Sequence, residues 1–329
     1  MRLGNDEHGV DAGMTPIVTL TVNPAIDASC VTDEVIPMRK VRTRDERYDP
    51  GGGGLNVARV VHELGGETVA FYVAGGYTGQ ALEGLVERSG ITAVRVPVAG
   101  LTRVSHTVYE TSSGHEYRFT PEGPEISEPE WHHCLEVLSV VDSEYFVASG
   151  SLARGMPADF YARIARLVKE RGGRTVLDTS GAALYWALQE GVWLVKPSRR
   201  ELEHLLGRKA QTPEDEEALA REVVQQGHAE IVALTLGGAG AVLATRDKTL
   251  RLTSPKVETK SAVGAGDSFV GAMVWALAHG KSLEQAFCYG VAAGAATAMT
   301  AGTELCRRDD VLRLYEQVSA QLPRAEARA

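Results

Sequence analysis

The run Ser261-Ala262-Val263-Gly264-Ala265-Gly266-Asp267-Ser268 leads straight into a helical pattern over 268–279. Glycines just ahead of a helix leave its first amides bare and aimed at one spot. The helix dipole adds positive potential there, so an anion can be held. A carboxylate in the same turn can accept a hydroxyl proton beside that anion, and phosphoryl transfer needs both parts. On spacing alone, an aspartate that only caps the helix fits as well.

Three more segments carry groups that hold small polar ligands. In Pro50-Gly51-Gly52-Gly53-Gly54-Leu55-Asn56, four glycines let the backbone lie flat against a polyhydroxy ligand, and the Asn56 amide offers sugar hydroxyls a donor and an acceptor. A flexible linker is also glycine-rich, but linkers seldom sit between a strand and an amphipathic helix. Asn23-Pro24-Ala25-Ile26-Asp27 follows the first strand pattern. Open α/β sheets bind ligands beyond the carboxyl ends of their strands, which places Asp27 to grip hydroxyls. Thr235-Leu236-Gly237-Gly238-Ala239-Gly240 is a glycine-rich turn after a strand, suited to phosphate or adenosine.

Other motifs carry no such chemistry. Gly280-Lys281-Ser282 imitates the end of a P-loop, but Trp275 stands where the first glycine belongs and the segment ends a helix. Gly264-Ala265-Gly266 is half a dinucleotide fingerprint with no following βαβ unit. His132 and His133 are adjacent on a helix, so they point apart and do not converge on a metal. A dehydrogenase would carry its glycine-rich turn after the first strand, where Asn23-Pro24 stands.

These segments need a scaffold. Strand patterns at 17–22, 68–73, 93–97, 145–148, 175–177 and 231–236 alternate with helical patterns at 55–64, 78–88, 127–139, 158–170 and 213–226. The alternation predicts an α/β fold, a doubly wound and mostly parallel sheet with helices on both faces. Strands at 241–244 and 249–252 precede helices near 265–279, 283–300 and 308–320. Residues 29–48 and 103–119 read as short strands with turns, including a hairpin at Ser113-Gly114, and form a small β-sheet lid. One domain over 17–320 is expected, with a disordered tail at 1–16 and a C-terminal tail at 321–329. Lys and Arg number 34 against 43 Asp and Glu; the net charge of −9 opposes a nucleic-acid or membrane-surface partner. The four cysteines show no metal-ligand or C-x-x-C spacing, and no apolar run reaches the ~18 residues of a membrane span. A cytoplasmic protein with reduced thiols is expected.

In combination, these segments resemble the PfkB (ribokinase-like) family of sugar kinases over about 17–318. The resemblance is carried by Gly53 to Asn56 with its flanks, Gly150-Ser151-Leu152, Asp178-Thr179-Ser180-Gly181, Leu194-Val195-Lys196-Pro197 and Val263-Gly264-Ala265-Gly266-Asp267. The runs PGGGGLNVAR, TLTVNPAID and GTELCRRDD are most similar to the minor 6-phosphofructokinase type. The resemblance implies ATP as co-substrate, Mg²⁺ as cofactor, and phosphorylation of fructose 6-phosphate to fructose 1,6-bisphosphate. It implies Asp267 as the base and Gly264, Ala265 and Gly266 as the anion hole. Asp27, Gly51, Gly52, Asn56 and Ser151 would face the sugar, while Lys40, Arg42 and Arg103 would hold its phosphate. Lys196, Thr235, Gly237 and Gly240 would line the nucleotide site with Gly264 and Gly266.

1-Phosphofructokinases and tagatose-6-phosphate kinases, which typically carry Lys at the position of Gly53, are the alternatives within the family. A catalytically silent sugar and nucleotide sensor is the alternative outside it. The chain departs from the family pattern twice. An Asn-x-x-Glu motif reads Ser198-Arg199-Arg200-Glu201, leaving Glu201 to reach Mg²⁺ through water. A Leu-Pro-x-Gly loop reads Leu152-Ala153-Arg154-Gly155. The exposed strand edges of the lid predict a homodimer joined through it.

Overall fold

The computed structural model describes residues 15–323; residues 1–14 of the expected N-terminal tail and 324–329 of the C-terminal one lie outside this range. The chain opens with strands β1 (Thr15–Thr21), β2 (Ala25–Thr32) and β3 (Arg44–Gly51), then α1 (Gly53–Glu63), β4 (Val69–Gly75), α2 (Gly76–Arg88) and β5 (Thr92–Val98). Next come β6 (Arg103–Glu110), β7 (Glu116–Phe119), α3 (Glu128–Leu138), β8 (Ser143–Ser149), α4 (Phe160–Glu170) and β9 (Arg174–Asp178). Then follow α5 (Gly181–Glu190), β10 (Val192–Val195), α6 (Arg199–Leu206), α7 (Pro213–Gln225) and β11 (Ala229–Thr235). The chain closes with β12 (Ala241–Ala244), β13 (Thr249–Leu252), α8 (Ala265–Ala278), α9 (Leu283–Ala298) and α10 (Arg308–Ser319).

The main sheet has the order β13-β12-β11-β10-β9-β8-β1-β4-β5. It is parallel from β11 to β5, with β12 and β13 added antiparallel at one edge. Side chains alternate across it. Val18 and Leu20 enter a core with Trp131, Phe160, Leu184 and Leu219 from α3, α4, α5 and α7. Ile17 enters the opposite core, with Val57, Phe269, Phe287 and Val311 from α1, α8, α9 and α10. A parallel sheet needs this cover on both faces, which explains strands that are apolar at nearly every position.

The stretch 181–206, which carried no expected element, holds α5, β10 and α6. Tyr185 and Trp186 are exposed on α5 and blur its amphipathic period, while β10 has only four residues. The second sheet, ordered β3-β2-β6-β7, is the lid. It reaches further toward the main sheet than 29–48: β2 starts at Ala25 and β3 runs to Gly51, so Asp27 and the first glycine are part of the ladder.

Candidate active site

Strand order reverses at β1, whose neighbours β4 and β8 lead in opposite directions; ligands of open sheets bind in the crevice at such a point. Asn23, just after β1, is buried and gathers the loops there. Its Nδ2 donates to Glu122 O at 3.0 Å and lies 3.4 Å from both Ser151 Oγ and Leu152 O. Arg103 Nη2 donates to Asn23 O at 2.8 Å and Nη1 to Pro121 O at 2.9 Å. Arg103 Nε is buried without a partner among the described residues, a donor left over for a ligand. Burial lifts the Asp27 carboxyl to about 6 against the opposing pull of Arg103.

Gly264 caps α8 in the left-handed region at φ 74°, a conformation that favours glycine. It turns the chain so that the amides of Gly266 and Asp267, in the first turn, have no helical acceptor. Asp267 is half-buried, and Asn56 Nδ2 donates to its Oδ2 at 2.8 Å. Burial first, and the nearby Asp178 second, push the Asp267 carboxyl up to about 7, with Asn56 and Lys196 opposing. Lys196 Nζ lies 3.0 Å from Asp178 Oδ1, and a Cβ on Gly266 would sit 3.3 Å from the same Nζ. Burial works against the ammonium, but Asp178 outweighs it and Lys196 stays protonated. A fixed cation therefore stands beside the bare amides of α8.

On the far side of those amides opens a cavity of about 450 Å³. Thr235, Gly237 and Gly240 line one wall, Ala265 and Gly266 another, and Val291 adds an apolar side. The Thr235 N–H and Oγ1 donate to Pro197 O at 2.9 and 3.3 Å, tying the segment that carries Lys196 to this cavity. A flat apolar base with phosphates directed at the N-terminus of α8 fits the arrangement.

Residues 17–310 match the family model described as pfkB family carbohydrate kinase. The chain belongs to that family. An ATP-dependent 6-phosphofructokinase isozyme 2 of Mycobacterium tuberculosis is 42% identical over 308 residues, 93% of this chain and 91% of that protein. Phosphofructokinase-2 from Escherichia coli, solved in complex with fructose-6-phosphate, is similar at a TM-score of 0.87 and 35% identity, over 93% of this chain and 100% of that one. The same Escherichia coli protein in a tetrameric inhibited form gives 0.87 and 36%, with the same coverage. The expected family, the ribokinase-like fold and phosphotransfer to an alcohol group all hold.

In this carbohydrate kinase Ser198 takes over the capping role open to the family's asparagine. Its Oγ accepts from Glu201 N at 3.3 Å, and the Ser198 N–H donates to Glu201 Oε2 at 2.7 Å. One carboxylate oxygen is thus committed to capping α6, and the other has no partner among the described residues. Among the described residues no group of three or more His, Cys, Asp or Glu side chains is placed to hold a metal ion. A single free oxygen suits Mg²⁺, which keeps most of its waters and binds mainly to phosphates. Lys40 and Arg42 are exposed on the loop 33–43 between β2 and β3, at the end of the lid away from Asp27.

The contacts join Arg103 on the lid to Ser151 through Asn23, set Gly51 against Asp27, and join Asn56 to Asp267; Asp27 reaches Asp267 only through its charge. Sequence reasoning gave no role to Asn23 or Asp49, which meet Glu122 and Thr303 across 99 and 254 positions, nor to Arg59, whose partners Pro50, Asn56 and Asp49 are near in sequence.

Proposed function

We propose that this kinase transfers the γ-phosphoryl group of ATP to the C1 hydroxyl of fructose 6-phosphate, giving fructose 1,6-bisphosphate. The observation that carries the reading is Asp267, a half-buried carboxyl at the start of α8 that is pushed up to about 7 and held by Asn56 beside the Lys196 ammonium. A base titrating near neutral pH is basic enough to take the proton and still ionised enough to be ready. Asp267 accepts the hydroxyl proton as the sugar oxygen bonds to the γ-phosphorus and the bond from that phosphorus to the ADP oxygen breaks. The amides of Gly266 and Asp267 and the Lys196 ammonium hold the charge on the equatorial oxygens. Mg²⁺ near Glu201 would neutralise charge on the β- and γ-phosphates when bound. Arg103, with its spare Nε, and Asp27 hold the sugar phosphate and hydroxyls.

Fructose 6-phosphate is favoured over its isomers by the names of the relatives and by Gly53. The lid supports a homodimer. Tyr48, Tyr109, Phe119 and Met38 leave apolar lid surface in the open, and β3 and β7 are free edges. Lys40 and Arg42 lie beyond Thr32, about 15 Å along β2 from Asp27, so their grip on the sugar phosphate would reach a partner's site. No helix among the described residues is long and apolar enough to cross a membrane, and we place the kinase with its substrates in the cytoplasm.

An assay of ADP release with fructose 6-phosphate, fructose 1-phosphate, tagatose 6-phosphate and fructose tests the reading. The highest kcat/KM is expected for fructose 6-phosphate. A higher value for another phosphosugar moves the kinase to one of the related activities. ATP binding without ADP release on any sugar would support the sensor instead.

A further inference from the structure

We infer that Arg59 is a positioning residue for phosphoryl transfer, acting from behind the site by setting the orientation of the Asn56 amide that holds Asp267. The inference rests on Asp267 being the base.

Asn56 and Arg59 are three residues apart on α1 and share a face. Arg59 Nη1 donates to Asn56 Oδ1 at 3.2 Å and to Pro50 O at 3.0 Å. An amide whose oxygen accepts from a guanidinium must present its NH₂ on the other side, where it donates to Asp267 Oδ2 at 2.8 Å. The flipped amide would aim its NH₂ at the guanidinium and its oxygen at the carboxylate. Both contacts would be repulsive, so Arg59 leaves the amide one orientation.

Arg59 is itself fixed. Its Nη2 lies 3.3 Å from Asp49 Oδ1, and Asp49 accepts from Thr303 Oγ1 at 2.7 Å and from Arg47 Nε at 2.6 Å. The Arg59 and Asp49 side chains are only 14% and 10% exposed. Low exposure strengthens this pair, and Arg47 and Thr303 hold Asp49 in place to receive it. The chain of contacts runs from Thr303 through Asp49 in the lid strand β3, through Arg59 and Asn56 on α1, to Asp267 on α8. The charges facing Arg59 are Asp49, Arg47, Asp27 and Asp267; those facing Asp267 are Asp178, Lys196 and Asp27, with Arg59 itself further off behind Asn56. Arg88 borders the cavity of about 350 Å³ that Arg59 also lines and is exposed, which makes it a control of like charge.

The test measures kcat and KM of the full-length protein from pH 5.5 to 9 for wild type, Arg59→Met, Arg59→Lys, Asp49→Asn, Arg88→Ala and Asp267→Asn. Arg59→Met should lower kcat at least tenfold at pH 7.5 and leave the KM for ATP within twofold. It should also raise the acidic limb of kcat by at least half a pH unit, since a cation and a fixed donor near Asp267 are both lost. Arg59→Lys keeps the charge and should return the limb to within 0.3 unit of wild type. Arg88→Ala should change neither. Should Arg59→Met fail to fold, Asp49→Asn reads the same link, with a kcat loss of at least threefold and the limb raised. A structural role alone would lower Tm and the active fraction but leave the limb in place, and that result overturns the inference. So does an Arg59→Met enzyme with kcat within twofold of wild type beside an inactive Asp267→Asn. An active Asp267→Asn would remove the base assignment and this inference together.

Discussion

A Cβ on Gly51 would lie 2.1 Å from Asp27 Oδ2. The lid ladder makes this so: Ala25 pairs with Gly51 and Asp27 with Asp49, which folds the glycine against the carboxylate. Gly51→Ala must displace Asp27 or bend β3, at a cost of about 1–3 kcal/mol. We expect the KM for fructose 6-phosphate to rise at least tenfold and the KM for ATP to stay within twofold. An unchanged sugar KM would take Asp27 out of the sugar site.

Asp267→Asn keeps the size of the side chain and an oxygen to accept from Asn56, but removes the base. Turnover should fall by about 10²–10⁴ while ATP still binds in calorimetry. The same variant should be more stable than wild type at pH 8. In the folded protein the carboxyl is pushed up to about 7 from the 3.8 of an ordinary aspartate, so the native state holds its proton more tightly than the unfolded chain. Its contribution favours folding at low pH and is lost as pH climbs from about 4 through 7. Removing the group should restore roughly 1–3 kcal/mol, or about 2–8 °C in Tm, with the gain gone below pH 4. Equal melting temperatures at pH 8 would show that the buried charge is compensated.

The base must be ionised to act, so kcat should rise with pH through an acidic limb near 7 and stand at roughly a tenth of its plateau at pH 6. Asp27, lifted to about 6, should make the sugar KM climb as pH falls below that value. A kcat limb below pH 5 is incompatible with Asp267 as the base.

Arg103 is engaged by two backbone carbonyls, and its buried Nε has no partner among the described residues. Arg103→Ala should raise the KM for fructose 6-phosphate at least tenfold, in line with the roughly 1.5–3 kcal/mol of a charge-assisted hydrogen bond, and leave the KM for ATP nearly unchanged. It should also narrow the preference over unphosphorylated fructose. Arg103→Lys should not rescue, because one ammonium cannot serve both carbonyls and a phosphate. A preference that survives Arg103→Ala intact points to a neutral-sugar kinase.

Light scattering at micromolar concentration should give a dimer or a multiple of it. Phe119→Asp, on the free edge strand β7, should shift the protein toward monomer and weaken sugar binding more than ATP binding. A fully active wild-type monomer would remove the lid as an interface.

The amino-acid sequence alone was enough for whatever is written in short-range pattern. The βα alternation was legible because strand and helix periods repeat within ten residues. The turn at Gly264 to Asp267 was legible because amides, dipole and carboxylate belong to one helix start. Asp27 and the glycines after Pro50 could be singled out because one follows a strand end and the others stand between a strand and a helix. Where local pattern was weak the reading failed, as at α5 with its exposed Tyr185 and Trp186 and at the four-residue β10. Ser198 was read as a gap in a motif, yet it is a working helix cap. Only the tertiary structure decided which role each charge takes. Asn56 meets Asp267 across 211 positions of chain, and Thr303 meets Asp49 across 254. The proton affinity of Asp267 follows from burial and from distances to Asp178 and Lys196, quantities that exist only once the sheet has closed over them.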